Sequence, residues 1–161
     1  MEPIILEPIG VIHSPHINIE GMPVQPTGAI GFEGTVVVDE KYVEGLKDLE
    51  GFSHIILIYQ FHKVQGYVLQ LVPFMDTKPH GVFATRAPKR PNKIGFSIVP
   101  LKKIEKNILY FEQADMLDGT PVIDIKPFYP KYDNKTDVKI GWLADVDPVD
   151  ITQLRSDDRF I

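Results

Sequence analysis

The sequence predicts a mainly β protein, a small closed β-barrel with one or two short helices. Fourteen prolines and twelve glycines are spread along the 161 residues and separate short apolar runs. These runs are rich in Val, Ile, Phe and Tyr, which favour pleated strands. A chain of this length fits one domain, and we expect it to span residues 1–161.

Nine segments have the length and composition of strands, and nine short strands suit a closed barrel. They are Ile4–His13, Gly34–Val38, His54–Phe61, Tyr67–Val72, Gly81–Thr85, Ile94–Ile104, Leu109–Gln113, Val122–Lys126 and Val138–Leu143. In the sixth segment, Ile94–Val99 has a period of two residues, which turns one face inward. Pro100 then implies a sheet edge or a bulge, because proline cannot donate to a ladder.

One helix is predicted after the second strand and is expected to plug an end of the barrel. Asp39 can cap its start, and Gly51 stands where a left-handed residue ends a helix. Apolar residues recur between them at helical spacing, at Tyr42, Val43, Leu46 and Leu49. A second short helix is expected from near Pro148 through Leu154 to Arg155, since proline is tolerated in a first turn.

Composition argues against secretion, membrane insertion and disulfide chemistry. Acidic residues and prolines interrupt the apolar residues after Met1, unlike a signal peptide. The longest apolar run, Ile55–Tyr59, is far shorter than the ~20 residues of a membrane helix. Without cysteine there are no disulfides or thiolate metal sites. We therefore expect a cytoplasmic protein.

The net charge of −5 conceals an uneven distribution. Residues 77–104 contain no Asp or Glu, and they carry seven cations: Lys78, Arg86, Lys89, Arg90, Lys93, Lys102 and Lys103. A basic stretch on an acidic body is typical of a local polyanion site, and a solvated loop with charged flanks is the alternative.

The loop between the fifth and sixth predicted strands is the strongest candidate for anion binding. Pro88 and Pro91 restrict its backbone and the residues before them. The loop carries Arg86, Lys89, Arg90, Asn92 and Lys93. Arginine can hold a carboxylate or phosphate through two parallel hydrogen bonds, which favours the two arginines for oriented recognition.

Two other stretches carry titratable groups. Asp118-Gly119 begins a predicted turn, where Asp118 can either face a ligand or bond its own turn. His62 follows an apolar strand and is a candidate base or a satisfied core histidine. Asp115, Asp118 and Asp124 lack the spacing of a calcium loop, so no metal site is expected. Phosphate-loop, dinucleotide and Gly-x-Ser-x-Gly motifs are absent from the sequence.

Four ordered motifs resemble the TsaA/TrmO-like family of tRNA methyltransferases. They are Gly81-Val-Phe-Ala-Thr-Arg86, Arg90-Pro-Asn-x-Ile-Gly95, Asp115-x-x-Asp-Gly-Thr-Pro-Val-x-Asp-Ile-Lys-Pro127 and the opening Ile9-Gly-Val-Ile-His-Ser-Pro15. Gln25-Pro26, Gly45-Leu46 and Phe52-Ser-His54 also match. The matches extend from Ile9 to Pro127.

This resemblance implies a β-barrel that binds S-adenosylmethionine, often at or near a homodimer interface, and methylates N6 of N6-threonylcarbamoyladenosine in the tRNA anticodon loop. The cofactor contacts it implies are Pro26, Thr27, Gly28, His62, Lys63, Arg86, Phe96, Glu112, Gln113, Ala114 and Asp115. The sequence departs from the family at Lys93, where proline is usual, and at Thr27, and it lacks the C-terminal extension of longer bacterial members.

The acceptor nitrogen of a ureido group is a poor nucleophile, so a base that removes its proton should help the transfer. Asp118 and His62 are the expected bases, in that order. Lys89, Arg90, Asn92 and Lys93 are expected to contact RNA, the lysines and Arg90 through phosphates. The alternatives are a non-catalytic RNA-binding barrel and a small-molecule-binding or structural barrel.

Overall fold

The structure is a computed structural model that describes residues 2–146 and 150–160. Six strands form a closed antiparallel barrel in the order β1-β2-β7-β6-β3-β8. Their bounds are β1 Gly10–His13, β2 Glu33–Val38, β3 His54–Gln60, β6 Ile94–Glu105, β7 Ile108–Glu112 and β8 Thr120–Pro127. The predicted barrel is therefore confirmed.

Two further strands, β4 Gln70–Leu71 and β5 His80–Gly81, form a small separate sheet. They are all that remains of the predicted strands Tyr67–Val72 and Gly81–Thr85, since residues Val82–Ala84 form a 3₁₀ turn. We call residues 67–90, 141–146 and 150–160 the lobe. Its buried cluster contains Leu71, Val82, Ala87 and Phe160, with Phe74 packed against them.

The predicted strand Val138–Leu143 is wrong. Val138 and Ile140 are exposed and belong to irregular chain, and Gly141–Asp145 forms a 3₁₀ helix that begins at a left-handed glycine. Because no apolar face is buried there, the segment has no sheet to pack against. The predicted strand Ile4–His13 is also too long, since pairing begins at Gly10.

The predicted helix after β2 is present as two 3₁₀ helices, Glu40–Leu46 and Leu49–Gly51. Asp39 caps the first as expected, accepting from the amide of Lys41 at 3.0 Å. The left-handed residue is Asp48, with φ 66°, and not Gly51. Tyr42, Leu46 and Leu49 still pack against the barrel core, so the segment covers one end of the barrel.

A four-residue α-helix, α1 Pro130–Asp133, follows β8. Of the second predicted helix, Pro148 lies outside the described residues. The described part is wrong as a helix, because residues 151–155 form a turn and an isolated bridge between Pro23 and Arg155. The register of β6 and β7 shifts between Leu101 and Lys103, which confirms a bulge beside Pro100. No helix within residues 2–146 and 150–160 has the length and apolarity needed to cross a bilayer.

The inward face of β6 is formed by Gly95, Ser97 and Val99, which are all buried. Gly95 is required by packing, since a Cβ there would overlap the ring of Tyr59 on the neighbouring strand β3. Gly34 on β2 makes the same allowance for the ring of Phe111. Small residues on the inward face therefore let two aromatic rings enter the barrel.

Candidate active site

A cavity of about 670 Å³ lies where the barrel meets the lobe. The barrel side contributes Tyr59, Gly95 and Phe96, together with the loop that follows β7. The lobe side includes four aromatic residues, Phe74, Phe83, Trp142 and Phe160. A cavity of this size, mostly apolar with a few polar groups, is typical of a site for a small organic ligand.

Five of the eleven expected cofactor contacts line this cavity: His62, Lys63, Arg86, Phe96 and Asp115. They come from the turn after β3, the loop before β6, β6 itself and the loop after β7. The structure therefore brings together residues that are as much as 53 positions apart in the sequence.

The remaining expected contacts do not line the cavity. Pro26–Gly28 forms a 3₁₀ turn packed against β6, with Thr27 exposed and Gly28 buried under the backbone of residues 151 and 152. Glu112 faces outward and pairs with Lys102 at 3.1 Å. Gln113 has a left-handed backbone, with φ 61°, and Ala114 is buried.

A chain of buried hydroxyl groups supports Asp115. Ser97 Oγ donates to both carboxylate oxygens of Asp115, at 2.9 and 3.1 Å. The Tyr59 hydroxyl lies 3.0 Å from Ser97 Oγ, and since the one hydrogen of Ser97 is committed to Asp115, Tyr59 donates to Ser97. Asp115 is 8% exposed, and burial raises its pKa from 3.8 to about 7 against the lowering effect of Ser97. Burial likewise raises the pKa of Tyr59 well above its ordinary value.

Arg86 holds a fixed position at the cavity wall. Its Nη1 donates to Oε1 of Gln25 at 3.0 Å, and its guanidinium lies 5.9 Å from the ring centre of Phe96. The positive charge of Arg86 also lowers the pKa of Asp115 slightly. The cavity therefore presents an arginine suited to a carboxylate together with a buried acid.

Arg90 stabilises its own loop. Its Nη1 donates to the carbonyl oxygens of Thr85 at 3.0 Å and Ala87 at 3.2 Å, with a longer contact to Val82 at 3.4 Å. Lys93 has a left-handed backbone, with φ 49°, and its amide donates to the Arg90 carbonyl at 3.2 Å. Proline can adopt neither that φ nor that hydrogen bond, so this loop follows a backbone path that proline would forbid.

The seven cations of the acid-free stretch do not form one cluster. Lys102 and Lys103 lie at the far end of β6, where Lys102 pairs with Glu33 at 2.7 Å and Lys103 with Glu105 at 2.8 Å. Within the acid-free stretch, the cations nearest the cavity therefore lie in the loop before β6, which carries Lys89, Asn92 and Lys93 as well as Arg86 and Arg90.

His62 and Asp118, the two expected bases, occupy different positions. His62 lines the cavity, its Nδ1 lies 3.3 Å from Thr120 Oγ1, and burial and then Lys63 lower its pKa, so the ring is neutral near pH 7. Asp118 is not among the lining residues. Its carboxylate lies 3.0 Å from Nδ1 of His13 and accepts from the amide of Ser14 at 3.3 Å, so it bonds a distant segment and not its own turn.

Three supporting residues were missed by the sequence analysis as members of the site: Gln25, Tyr59 and Ser97. Gln25 was noted only as a motif match, and Tyr59 and Ser97 only as strand residues. A polar residue on the inward face of a barrel strand was the available signal for Ser97. Among the described residues, no group of His, Asp and Glu has the arrangement of a metal site.

A family model, described as the tRNA-methyltransferase O N-terminal domain, matches residues 11–134. The chain belongs to this family. The resemblance inferred from the motifs is thus confirmed. The matched residues include nearly all of the barrel and the loops that carry Arg86 and Asp115, whereas Trp142 and residues 150–160, which form part of the cavity wall, lie outside the match.

Two relatives are similar to this chain over most of its length. A probable S-adenosyl-L-methionine-binding protein from Pyrococcus abyssi is 48% identical over 98% of this chain and 85% of its own length. The human tRNA (adenine(37)-N6)-methyltransferase is 33% identical over 84% of this chain and 32% of its own length.

The fold matches a solved structure of the same family. The crystal structure of TrmO from Pseudomonas aeruginosa superposes with a TM-score of 0.73 at 37% identity, covering 87% of this chain and 62% of that chain. The chain thus spans about a third of the human relative and less than two thirds of the P. aeruginosa protein.

Proposed function

We propose that the chain binds S-adenosylmethionine in the cavity between barrel and lobe and methylates N6 of N6-threonylcarbamoyladenosine in the tRNA anticodon loop. The observation that supports this most is a cavity whose wall carries Arg86 and Asp115, in a chain of the tRNA-methyltransferase O family. Supporting names come from relatives that are called S-adenosylmethionine-binding proteins and a tRNA adenine methyltransferase.

The residues of the cavity fit the chemistry of this cofactor. S-adenosylmethionine carries a carboxylate, an ammonium, a sulfonium that supplies the methyl group, and an apolar adenosine face. Arg86, fixed by Gln25, is placed to bind the carboxylate through paired hydrogen bonds. Phe96 and the aromatic lobe offer apolar surface for the adenosine.

Calorimetry tests the role of Arg86. The Arg86→Glu variant should bind S-adenosylmethionine at least tenfold more weakly than the wild type, because a carboxylate would then face a carboxylate. Lys78→Glu is the matched control, since it makes the same change in net charge within the lobe and Lys78 does not line the cavity. Equal affinity of Arg86→Glu and wild type would remove Arg86 from the cofactor site.

The loop before β6 is the proposed RNA surface. Lys89, Lys93 and Asn92 contact the anticodon-loop backbone, and Arg90 maintains the loop through its carbonyl contacts. Each phosphate contact by a lysine releases a counterion, so the affinity for tRNA should decrease as salt increases. A flat salt dependence in filter binding would contradict this assignment. Because tRNA is the proposed substrate, we also propose a cytoplasmic location.

We also propose a homodimer. Ile17, Ile30 and Phe83 are exposed apolar side chains, and a second copy would cover such residues. Sedimentation velocity at micromolar concentration should show twice the mass of one chain. A monomer at that concentration would contradict the dimer.

Incubation with labelled S-adenosylmethionine tests the function as a whole. Three reactions are compared: one with tRNA that carries the threonylcarbamoyl group, one with the same tRNA without that group, and one without tRNA. Mass analysis of the nucleosides should show methylation only in the first. Methylation of unmodified adenosine would correct the acceptor, and no methylation of any tRNA would reject the reaction. Tight tRNA binding with no thermal stabilisation by S-adenosylmethionine would indicate a non-catalytic RNA-binding barrel.

A further inference from the structure

We propose that Asp115, held by Ser97 and Tyr59, is the catalytic residue that accepts the proton released from the acceptor nitrogen. This inference rests on the proposed function. It replaces the expected bases Asp118 and His62 with a group that the sequence analysis treated only as a cofactor contact.

The position of Asp115 in the cavity wall favours it as the base. Asp115 and His62 both line the cavity, whereas Asp118 does not. Asp115 lies on the deep barrel side, with its neighbours Met116 and Leu117 also in the wall. Asp118 already has His13 and the Ser14 amide as partners and is about two-fifths exposed. A base must reach the proton that it removes, which favours groups on the cavity wall.

Hydrogen bonds orient the Asp115 carboxylate. Ser97 is committed as a donor to both oxygens of Asp115, and Tyr59 is committed as a donor to Ser97. All three side chains are buried on strands β3 and β6 or in the loop after β7. We call this chain of hydrogen bonds from Tyr59 through Ser97 to Asp115 the relay. It fixes the carboxylate and supplies only donors to it, which leaves the remaining lone pairs of the carboxylate for a proton from the cavity.

The polar and charged surroundings of Asp115 also suit a base. The groups that face Asp115 are Ser97 on β6, Tyr59 on β3 and Arg86 in the loop before β6, and His16 bonds the carbonyl of the preceding Ala114 at 2.8 Å. Burial brings the pKa of Asp115 to about 7, which is close to the pH at which the protein would work. An acid with that pKa accepts a proton more readily than an ordinary carboxylate does.

The transfer balances with Asp115 as acceptor. The lone pair of the nitrogen forms the new bond to the methyl carbon, and the pair of the carbon–sulfur bond stays on sulfur, which loses its positive charge. The nitrogen–hydrogen bond breaks, its electrons remain on nitrogen, and the proton forms a bond to a carboxylate oxygen of Asp115. One positive and one negative charge are neutralised together, and the proton leaves to solvent when product departs.

Single-turnover kinetics across pH test this assignment. Asp115→Asn, which keeps the shape of the side chain, should slow methyl transfer by about 10²- to 10⁴-fold and change the dissociation constant of S-adenosylmethionine far less. His62→Gln should slow transfer less than tenfold. The wild-type rate should increase with pH to a plateau with a midpoint near 7, and Ser97→Ala should move that midpoint upward, with Tyr59→Phe doing so to a smaller extent.

A second readout does not need activity. Carbon NMR of the carboxyl groups in the cofactor-free protein should show Asp115 titrating near 7 in the wild type and higher in Ser97→Ala. If Asp115→Asn retained wild-type rate and pH profile while His62→Gln abolished transfer, the assignment would be overturned and the methyltransferase function would stand. If the wild type methylated no tRNA, both would be overturned together. If the Asp115 carboxyl titrated near 4, its assignment as the base would also be contradicted.

Discussion

The barrel and the lobe differ in how they are stabilised, although both form walls of the same cavity. The barrel has six strands that close on themselves and a buried core that includes Ile12, Leu57, Leu109 and Phe111. The lobe has two strands of two residues each and a buried cluster of four residues. Regions with few buried contacts open locally at lower cost than a core does. We therefore expect the barrel to hold Asp115, Ser97 and Tyr59 in place and the lobe to adapt more readily to a ligand.

The largest expected effect is on the barrel core. Phe111 is fully buried against Gly34, so Phe111→Ala should lower the free energy of unfolding by about 3–5 kcal/mol through lost burial and a cavity. Urea denaturation measures the change. Ile140→Ala, at a residue 56% exposed, is the control and should stay within about 0.5 kcal/mol. A small loss at Phe111 would mean that the barrel is not the rigid part.

The next effect is a pH dependence of stability that arises from Asp115. Its folded pKa is raised from 3.8 to about 7, so between these values the folded state holds more protons than the unfolded state. The contribution of this group to stability should therefore be greatest at and below about pH 4 and decrease as pH rises to 7, by on the order of 4 kcal/mol at most.

The difference in the free energy of unfolding between wild type and Asp115→Asn isolates that contribution. This comparison is needed because Asp76, Asp150 and Asp157 have lowered pKa values and change stability with pH in the opposite direction. Urea denaturation of both proteins from pH 4 to 8 should show their difference changing along this slope and then levelling. A difference that does not vary with pH would show that Asp115 is not buried as described.

A smaller effect is expected from Gly95→Ala, which would place a methyl group in the ring of Tyr59. Such overpacking costs about 1–3 kcal/mol, and displacement of Tyr59 should also slow methyl transfer. Gly81→Ala is the matched control, because no atom lies within 4 Å of its Cβ position and its φ of −60° suits alanine. If both variants behaved alike, the packing explanation for this glycine would fail.

The smallest effect on global stability is expected in the lobe. Phe160 packs on Phe74 with ring centres 5.2 Å apart and lines the cavity. Phe160→Ala should cost about 1 kcal/mol or less in global unfolding, since the lobe opens separately, but it should weaken S-adenosylmethionine binding measurably. Tyr132→Ala, at an exposed residue outside the cavity lining, is the control. A decrease in the free energy of unfolding as large as that expected for Phe111→Ala would show that the lobe and the barrel unfold as one cooperative unit.

The sequence predicted the barrel better than the lobe for a physical reason. The strands β3 and β6 were placed within a residue, because burial imposes a continuous apolar run on the first and a period of two on the second. The lobe has no such period. Its residues 82–84 and 141–145 turn as 3₁₀ helices, and only tertiary contacts such as Trp142 Nε1 donating to the Ala84 carbonyl at 2.9 Å fix them.

The site was predicted in part. Family motifs located Arg86, Phe96 and Asp115, which the structure brings to one cavity. The relay from Tyr59 through Ser97 to Asp115 joins residues on two strands and a loop, so no local pattern could have identified it. The charge of the basic stretch was also misleading in part, since Lys102 and Lys103 lie at the other end of β6 with acidic partners.

Hydrogen exchange with and without S-adenosylmethionine tests the central claim most directly, namely that the ligand binds where the fixed barrel meets the adaptable lobe. The cofactor should slow exchange in the peptides covering residues 82–90 and 150–160, and the inner strands β3 and β6 should already exchange slowly without it. Protection confined to the opposite side of the barrel, or no protection at saturating cofactor, would contradict the account.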